Sequence, residues 1–144
     1  MKDQYNLQRF LDAQKHDYSI ALQEIKNGRK QSHWMWYIFP QLKGLGCSYN
    51  ADYYGIADLS EAIAYLENKT MRERLEEISK ALLEIIDNDA LLIMGNPDHH
   101  KLKSSMTLFS SVPGSNPVFE KVLIKFFEGR KSRRTLKILQ EGEH

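Results

Sequence analysis

Hydrophobic residues recur at three- and four-residue steps along most of the chain, which is the pattern of amphipathic helices. The first run follows Asn6, a predicted helix cap, and ends at Asn27-Gly28, where glycine favours termination. Gln14 interrupts its apolar stripe and is expected to be a half-buried amide bonded to the backbone, with pocket lining as the alternative. The apolar positions of this run are Leu7, Phe10, Leu11, Tyr18, Ala21, Leu22 and Ile25.

Further helix starts are marked by short polar motifs. Asp58-Leu-Ser-Glu61 and Thr70-Met-Arg-Glu73 have the form of capping boxes. Asn96-Pro97 and Asn116-Pro117 each combine a capping residue with a proline suited to the first helical position. The pattern therefore predicts an all-α fold of seven or eight helices, organised as a single domain over residues 1–144.

The stretch Gly28–Ser48, GRKQSHWMWYIFPQLKGLGCS, departs from this regular pattern and contains both tryptophans of the chain. Ser32 is predicted to cap a short helix from His33 to Phe39 that Pro40 ends. The run is apolar on nearly all sides, so a buried strand remains an alternative. The glycines after Gln41 predict a loop that approaches other backbone closely.

Composition narrows the function classes. Hydrophobic residues make up 42% of the chain and charged residues 27%, as in ordinary folded domains. With Cys47 as the single cysteine, neither an internal disulfide nor a multi-cysteine metal site can form. The chain has no membrane-length apolar run and no apolar signal core near residue 1, so we expect a cytoplasmic protein that does not enter a membrane.

Charge is unevenly distributed along the chain. The net charge of +1 argues against a protein that coats nucleic acid non-specifically. From Pro97 to Leu139, however, nine basic residues accompany only three acidic ones. This excess either favours an anionic ligand or places ordinary solvated charges on helix surfaces.

Candidate chemistry is concentrated in two stretches. His33 follows a predicted cap, where a helix N-terminus would keep its imidazole neutral for acid–base work; the alternative is a core histidine bonded to a carbonyl. Lys101, Ser104 and Ser105 follow the Asn96-Pro97 helix start, a combination suited to holding phosphate or carboxylate. His99 and His100 are adjacent and diverge on a helix, so no metal site is predicted.

Several of these stretches together resemble one protein family. The string GRKxSHWMWYIFPQLxGLGxS is similar to the signature of the bacterial family known as domain of unknown function 1810. Matching blocks cover nearly the whole chain, and one departure is Asn68-Lys69-Thr70, where a His-Pro-type turn is expected. The resemblance implies a compact, mainly helical single domain and implies no activity. The further blocks are Arg9-Phe10 with Ala13-Gln14, Tyr54-Gly55-Ile56, Glu61-Ala62 with Tyr65-Leu66, Arg74-Leu75, Asp98 with Lys101-Leu102, Ser104-Ser105-Met106-Thr107-Leu108-Phe109 and Thr135-Leu136.

Polar groups beside aromatics favour a pocket for a small anionic or nucleotide-like ligand. We expect no cofactor, and whether the chain is an enzyme is left open. Any catalysis would be hydrolysis or group transfer with His33 as acid or base, and Asp98 or Glu61 as its partner. The predicted ligand-binding residues are Arg29, Ser32, Trp34, Trp36, Gln41, Tyr54, Asp98, Lys101, Ser104 and Ser105.

Two alternatives belong to other functional classes. The first is a protein-interaction module without a ligand site, which would use aromatic anchors such as Tyr49, Tyr53 or Phe127. The second, ranked below it, is nucleic-acid binding. That function requires the basic run Arg130–Arg134 to form one face with Lys121 and Lys125.

Overall fold

A computed structural model describes residues 3–142, and its secondary structure confirms the all-α prediction. Nine helices lie within those residues, slightly more than the predicted number, because three of them have only four or five residues. The helices are α1 (Gln8–Lys26), α2 (Met35–Ile38), α3 (Tyr49–Tyr53), α4 (Leu59–Glu67), α5 (Lys69–Glu84), α6 (Ala90–Met94), α7 (Asp98–Ser110), α8 (Val118–Phe127) and α9 (Arg133–Glu141).

The core lies where α5 packs against α1 and α8, and where α7 packs against α8. Its centre is aromatic: Phe10 meets Tyr65 edge-on with ring centroids 5.2 Å apart. Tyr65 also lies 5.2 Å from Phe109, which in turn contacts Phe119. These large rings bury much apolar surface and favour offset or edge-on geometry, so they stabilise the packing of α1, α4, α7 and α8. Helix α9 contacts the rest mainly through α7.

The Trp-rich segment is helical, but the helix is shorter than predicted. It covers only α2, with Trp34 at the N-cap position. Ser32 does not cap it, because the Ser32 hydroxyl donates to the Glu24 carboxylate at 2.5 Å. That carboxylate also accepts from the Gln31 and Ser32 N–H groups and from Trp34 Nε1, at 2.7–2.9 Å. Glu24, on the last turn of α1, thus fixes the path of the chain into α2.

We expect the Glu24 contacts to make stability depend on acid pH. Burial alone would raise the pKa of this carboxyl, but the hydrogen bonds from Ser32, Gln31 and Trp34 outweigh it and lower the pKa from 4.5 to about 2. A carboxyl group whose pKa is lower in the folded state stabilises the fold at pH values above its unfolded-state pKa. This stabilisation is lost as the pH falls towards 2. After allowance for solvent screening, Glu24→Gln should cost about 1–2 kcal/mol at pH 7 and nearly nothing at pH 2.

Urea unfolding at pH 7, 4 and 2.5 measures this difference. The matched control is Glu84→Gln at the exposed end of α5, which should change the free energy of unfolding little at any pH. An equal loss of stability at pH 7 and pH 2.5 in Glu24→Gln would contradict the assignment.

Two of the predicted caps are confirmed. Asp58 accepts from the Glu61 N–H at 2.9 Å and starts α4. Asn116 accepts from the Val118 N–H at 2.9 Å and starts α8. Both side chains precede their helices at the short spacing that lets them satisfy an otherwise free backbone donor.

Three other cap predictions are wrong because a neighbouring residue takes the position. Asp3, rather than Asn6, accepts from the Leu7 and Gln8 N–H groups at the start of α1. Asn68, rather than Thr70, caps α5 by accepting from the Met71 N–H at 3.0 Å. Pro97 occupies the N-cap of α7, where no side chain makes a cap hydrogen bond. In each case the helix itself is present as predicted, and only its first residue moves.

Arg9 ties α1 to α3 and α4 through a saturated hydrogen-bond network. Its guanidinium donates to the carbonyls of Tyr5, Asn6, Tyr53 and Gly55 at 2.7–3.1 Å. A fifth bond joins it to the Glu61 carboxylate at 2.8 Å, with both side chains almost fully buried. Because arginine has five N–H donors, every one of them is used.

The loop after α2 is held close to the end of α3. Lys43 N–H donates to the Ile56 carbonyl at 2.8 Å, and Ile56 N–H donates to the Gln41 carbonyl at 2.9 Å. The two segments approach so closely that a Cβ on Gly55 would lie 2.7 Å from Lys43 Cα. A Cβ on Gly46 would likewise lie 2.8 Å from the Ala51 side chain. The loop therefore approaches other backbone closely, as predicted, but at Lys43 and not at its glycines: Gly46 faces a side chain, and a Cβ on Gly44 would have no atom within 4 Å. This approach fixes where Gln41 emerges.

Candidate functional site

An open cleft of about 1080 Å³ lies between the loop after α2, the first half of α7 and the start of α9. We call it the basic cleft. Its polar lining is mostly cationic, and its apolar lining is contributed by Leu45, Pro97 and Leu136. The complete lining is Gln41, Leu45, Gly46, Pro97, His100, Lys101, Lys103, Ser104, Arg130, Lys131, Ser132, Arg133, Arg134 and Leu136.

The charges around the basic cleft are poorly compensated. Six lysines and arginines line it, and no carboxylate does. Lys101 has Asp98 at 3.5 Å and Arg130 has Glu128 at 3.7 Å. The other four cations have no acidic side chain within 4.0 Å in the described part of the chain. Cations that converge without counter-charges create a positive potential that attracts anions.

The start of α9 contributes to this potential. Ser132 caps α9 by accepting from the Thr135 N–H at 3.2 Å, and its own N–H donates to Thr107 Oγ1 of α7 at 2.9 Å. Arg133 and Arg134 therefore occupy the first turn, where the helix dipole is positive. Two arginines at that end repel the dipole as well as each other, so they lower the stability of the helix.

A narrow aromatic crevice adjoins the basic cleft. It is lined by Met35, Trp36, Phe39, Gln41, Asn50, Ala51, Tyr54, Gly55 and Lys101, so Gln41 and Lys101 belong to both. The Lys101 ammonium lies 5.1 Å from the centroid of the Trp36 ring, within the range of a cation–π contact. Burial raises the pKa of the Tyr54 phenol, with Tyr53 and Tyr49 adding to the effect, and keeps it a neutral donor. The volume open to a water-sized atom is about 10 Å³.

Two buried polar atoms in this region have no hydrogen-bond partner among the described residues. One is Trp36 Nε1 and the other is the hydroxyl of Ser105. Ser105 is fully buried and lies one helical turn beyond Lys101 on α7. Buried polar groups are nearly always bonded, so both atoms need an acceptor or donor other than the described residues, such as water or a ligand.

The structure brings part of the predicted ligand site together. Gln41, Lys101 and Ser104 line the basic cleft, and Trp36 and Tyr54 join Gln41 and Lys101 in the crevice. Asp98 lines neither cavity, but it forms ion pairs with Lys30 at 2.8 Å and with Lys101 at 3.5 Å. The expected juxtaposition of the segment before Gln41 with α7 is therefore present.

The remaining predicted residues lie elsewhere. Trp34 and Ser32 donate hydrogen bonds to Glu24 and so help to fix the course of the chain into α2. Arg29 is exposed at a separate depression beside Asp89. His33 is exposed before α2, not at its first turn, and lines neither cavity. The catalytic role of His33 stays a prediction from the sequence.

The run Arg130–Arg134 was missed as part of a small-ligand site. It is conspicuous in the sequence, but it follows α8, while every residue predicted for the ligand site lies at or before Ser105. The packing of α9 on α7 brings the two regions together. His100 was also underrated: it lines the basic cleft, and burial, His99 and Lys103 lower its pKa, which favours the neutral imidazole.

No group of three or more His, Cys, Asp or Glu side chains suited to a metal ion occurs within residues 3–142. Over the same range, no helix is both long and apolar enough to span a membrane.

Comparison with known proteins agrees with the fold. The chain superimposes on the crystal structure of the conserved hypothetical protein Rv1873 from Mycobacterium tuberculosis with a TM-score of 0.93 and 41% sequence identity, over 96% of this chain and 99% of that one. Curated proteins gave no match. The family model described as "Protein of unknown function (DUF1810)" matches residues 4–139. The resemblance inferred from the sequence is thereby confirmed: the chain belongs to the DUF1810 family.

Proposed function

We propose that the basic cleft binds a small ligand carrying one or more phosphate groups. The observation that supports this most strongly is the convergence of six cationic side chains from α7 and from residues 130–134 on one concave surface. Four of them have no carboxylate near them in the described residues, so their charge is available to a ligand. Arginine is especially suited to phosphate, because its planar fork donates two parallel hydrogen bonds.

Stability does not explain this arrangement. Arg133 and Arg134 oppose the dipole of α9. Lys131 and Lys103 line the same cleft and bring further positive charge to it. A sequence selected for stability alone would place acidic residues in that first turn. Local choices that conflict with stability occur characteristically at functional sites.

The dimensions suit a small molecule. A volume of about 1080 Å³ is at the upper end of the range for small-ligand sites. Leu45, Pro97 and Leu136 offer apolar contact to an uncharged part of the ligand, while the cations meet its phosphate. A nucleotide, a sugar phosphate and a phosphorylated acid all meet these requirements.

The test is the pair of charge reversals Arg133→Glu and Arg134→Glu, with pyrophosphate as the probe. In calorimetric titrations, each reversal should weaken pyrophosphate binding about 10- to 100-fold, because a charge-assisted hydrogen bond worth about 1.5–3 kcal/mol is lost. Without ligand, each variant should be as stable as the wild type or more so by about 0.3–1 kcal/mol, since a carboxylate complements the helix dipole.

Lys137→Glu is the matched control, because it makes the same charge change on α9 outside the basic cleft. It should leave pyrophosphate affinity within a few-fold of the wild type. Equal weakening by Lys137→Glu would reduce the effect to net charge, and no binding by the wild type would overturn the proposal. Tighter binding of a single-stranded oligonucleotide than of pyrophosphate would indicate the nucleic-acid function instead.

A further inference from the structure

The aromatic crevice opens from the same wall that Gln41 and Lys101 give to the basic cleft. A ligand in the cleft can therefore extend a group into the crevice while its phosphate stays with the arginines. The residues of the crevice wall include two donor-only groups, the Lys101 ammonium and the Trp36 indole N–H, and the amides of Gln41 and Asn50, whose NH2 groups donate while their oxygens accept.

The Trp36 indole N–H lacks a hydrogen-bond partner. It is buried, and no acceptor within the described residues bonds it. Indole nitrogen is a donor only, so only an acceptor from outside the described residues can complete this bond. Trp34 provides the contrast, because its indole N–H donates to Glu24 at 2.9 Å. Of two tryptophans two residues apart, one is bonded internally and the other is not.

Size limits what can complete this bond. The crevice has only about 10 Å³ open to a water-sized atom, roughly the volume of one such atom. A planar base does not fit there, whereas a single oxygen of a carboxylate does. The Lys101 cation beside the site favours a charged oxygen over a neutral carbonyl. Asp98 competes for Lys101 only at 3.5 Å, because its other oxygen pairs with Lys30 at 2.8 Å.

We infer that the crevice between Trp36 and Lys101 holds a carboxylate oxygen of a ligand whose phosphate occupies the basic cleft, so that the ligand class is a small phosphorylated carboxylic acid. This inference rests on the proposed phosphate site. Trp36 and Gln41 act as hydrogen-bond donors to the carboxylate, and Lys101 neutralises it. The residues of α9 bind the phosphate.

The test compares two probes that differ only in the group directed at the crevice: phosphoglycolate, which carries a carboxylate, and ethyl phosphate, which carries a methyl group. Calorimetric titration of the wild type should give at least about 10-fold tighter binding of phosphoglycolate, the difference expected for one charge-assisted hydrogen bond. Trp36→Phe keeps an aromatic ring but removes the N–H. It should reduce the preference for phosphoglycolate at least about threefold, while the Gln41 and Lys101 contacts remain, and leave ethyl phosphate affinity unchanged.

Gln41→Leu provides an independent variant of similar side-chain size, and it should also reduce the preference for phosphoglycolate. If Trp36→Phe does not fold, Gln41→Leu alone decides. Equal affinity of the wild type for the two probes would overturn the carboxylate site and leave the phosphate site standing. If neither probe nor pyrophosphate binds, the proposed function fails as well. An unchanged preference in both variants would also overturn the assignment.

Discussion

Replacing Arg9 by lysine should lower the free energy of unfolding by about 2–4 kcal/mol, although the charge is conserved. Lysine has three donors, so at least two of the five acceptors around the guanidinium lose their partner. Those acceptors lie on the turn before α1, at the end of α3 and on α4, and they are buried or partly buried. The ammonium also cannot make the flat, divergent set of bonds that a guanidinium makes.

Chemical denaturation measures this loss. Arg72→Lys is the control, because the Arg72 side chain makes a single hydrogen bond, to the Leu66 carbonyl, in the described residues. It should cost less than about 1 kcal/mol. If Arg9→Lys and Arg72→Lys were equally mild, the positive charge alone would account for the contribution of Arg9, and the five-bond network would add no particular stability.

Gly55→Ala should destabilise the protein by about 1–3 kcal/mol, the usual cost of forcing extra volume into a packed interior. The new methyl would lie 2.7 Å from Lys43 Cα and 2.8 Å from the Ala51 carbonyl oxygen. Both obstacles involve backbone atoms, so a side-chain rotation cannot relieve them. The loop that carries Gln41 must move away from Ile56, and affinity at the basic cleft should fall together with stability.

Gly142→Ala is the matched control. Gly142 has ordinary helical backbone angles, and the nearest atoms to an added Cβ are 3.6 Å away. Thermal unfolding should show a shift for Gly55→Ala of about 4 °C or more, given the stated loss of stability, and almost none for Gly142→Ala. A tolerated Gly55→Ala would show that the loop after α2 has more freedom than its close contacts indicate.

Helix existence could be predicted from the sequence because it depends on local periodicity. The apolar stripes of α1, α5 and α8 recur at helical spacing over ten or more residues, which leaves no comparable alternative. Gln14 was also anticipated: its buried amide donates to the Tyr37 carbonyl at 2.8 Å. Helix ends were less predictable, since several nearby Asp, Asn, Ser or Thr side chains can serve as the cap, and tertiary packing decides among them.

The candidate site was predictable only in part, because most of its geometry is tertiary. Gln41, Lys101 and Ser104 were identified from polar groups that adjoin aromatics, and all three line the basic cleft. Ser32 and Trp34 have the same local signature, yet both bond to Glu24, a residue without any conspicuous motif. No periodicity indicates that a glutamate of α1 reaches a segment eight to ten residues later.

The Trp-rich segment is therefore mainly a scaffold. Trp34 and Phe39 are buried in the core, and Glu24 holds the approach to α2. Trp36 and Gln41 are the members of this segment that bring polar groups predicted to bind ligand to the cavities that we propose to be functional. The proposed binding surface lies at the edge of this segment, where it meets α7 and the arginines before and within α9.

The sharing of Asp98 between two lysines would couple the proposed anion binding to the rest of the fold. One carboxylate oxygen pairs with the buried Lys30 ammonium, and the other faces Lys101 of the basic cleft. The backbone N–H of Lys30 donates to the Ile93 carbonyl. An anion that attracts Lys101 leaves Asp98 to Lys30 alone and tightens that pair. Because such linkage is reciprocal, a variant that loosens the Lys30–Asp98 pair should also lower the affinity for the anion. Slower hydrogen exchange of the Lys30 backbone amide would then report the binding of a ligand that does not contact Lys30.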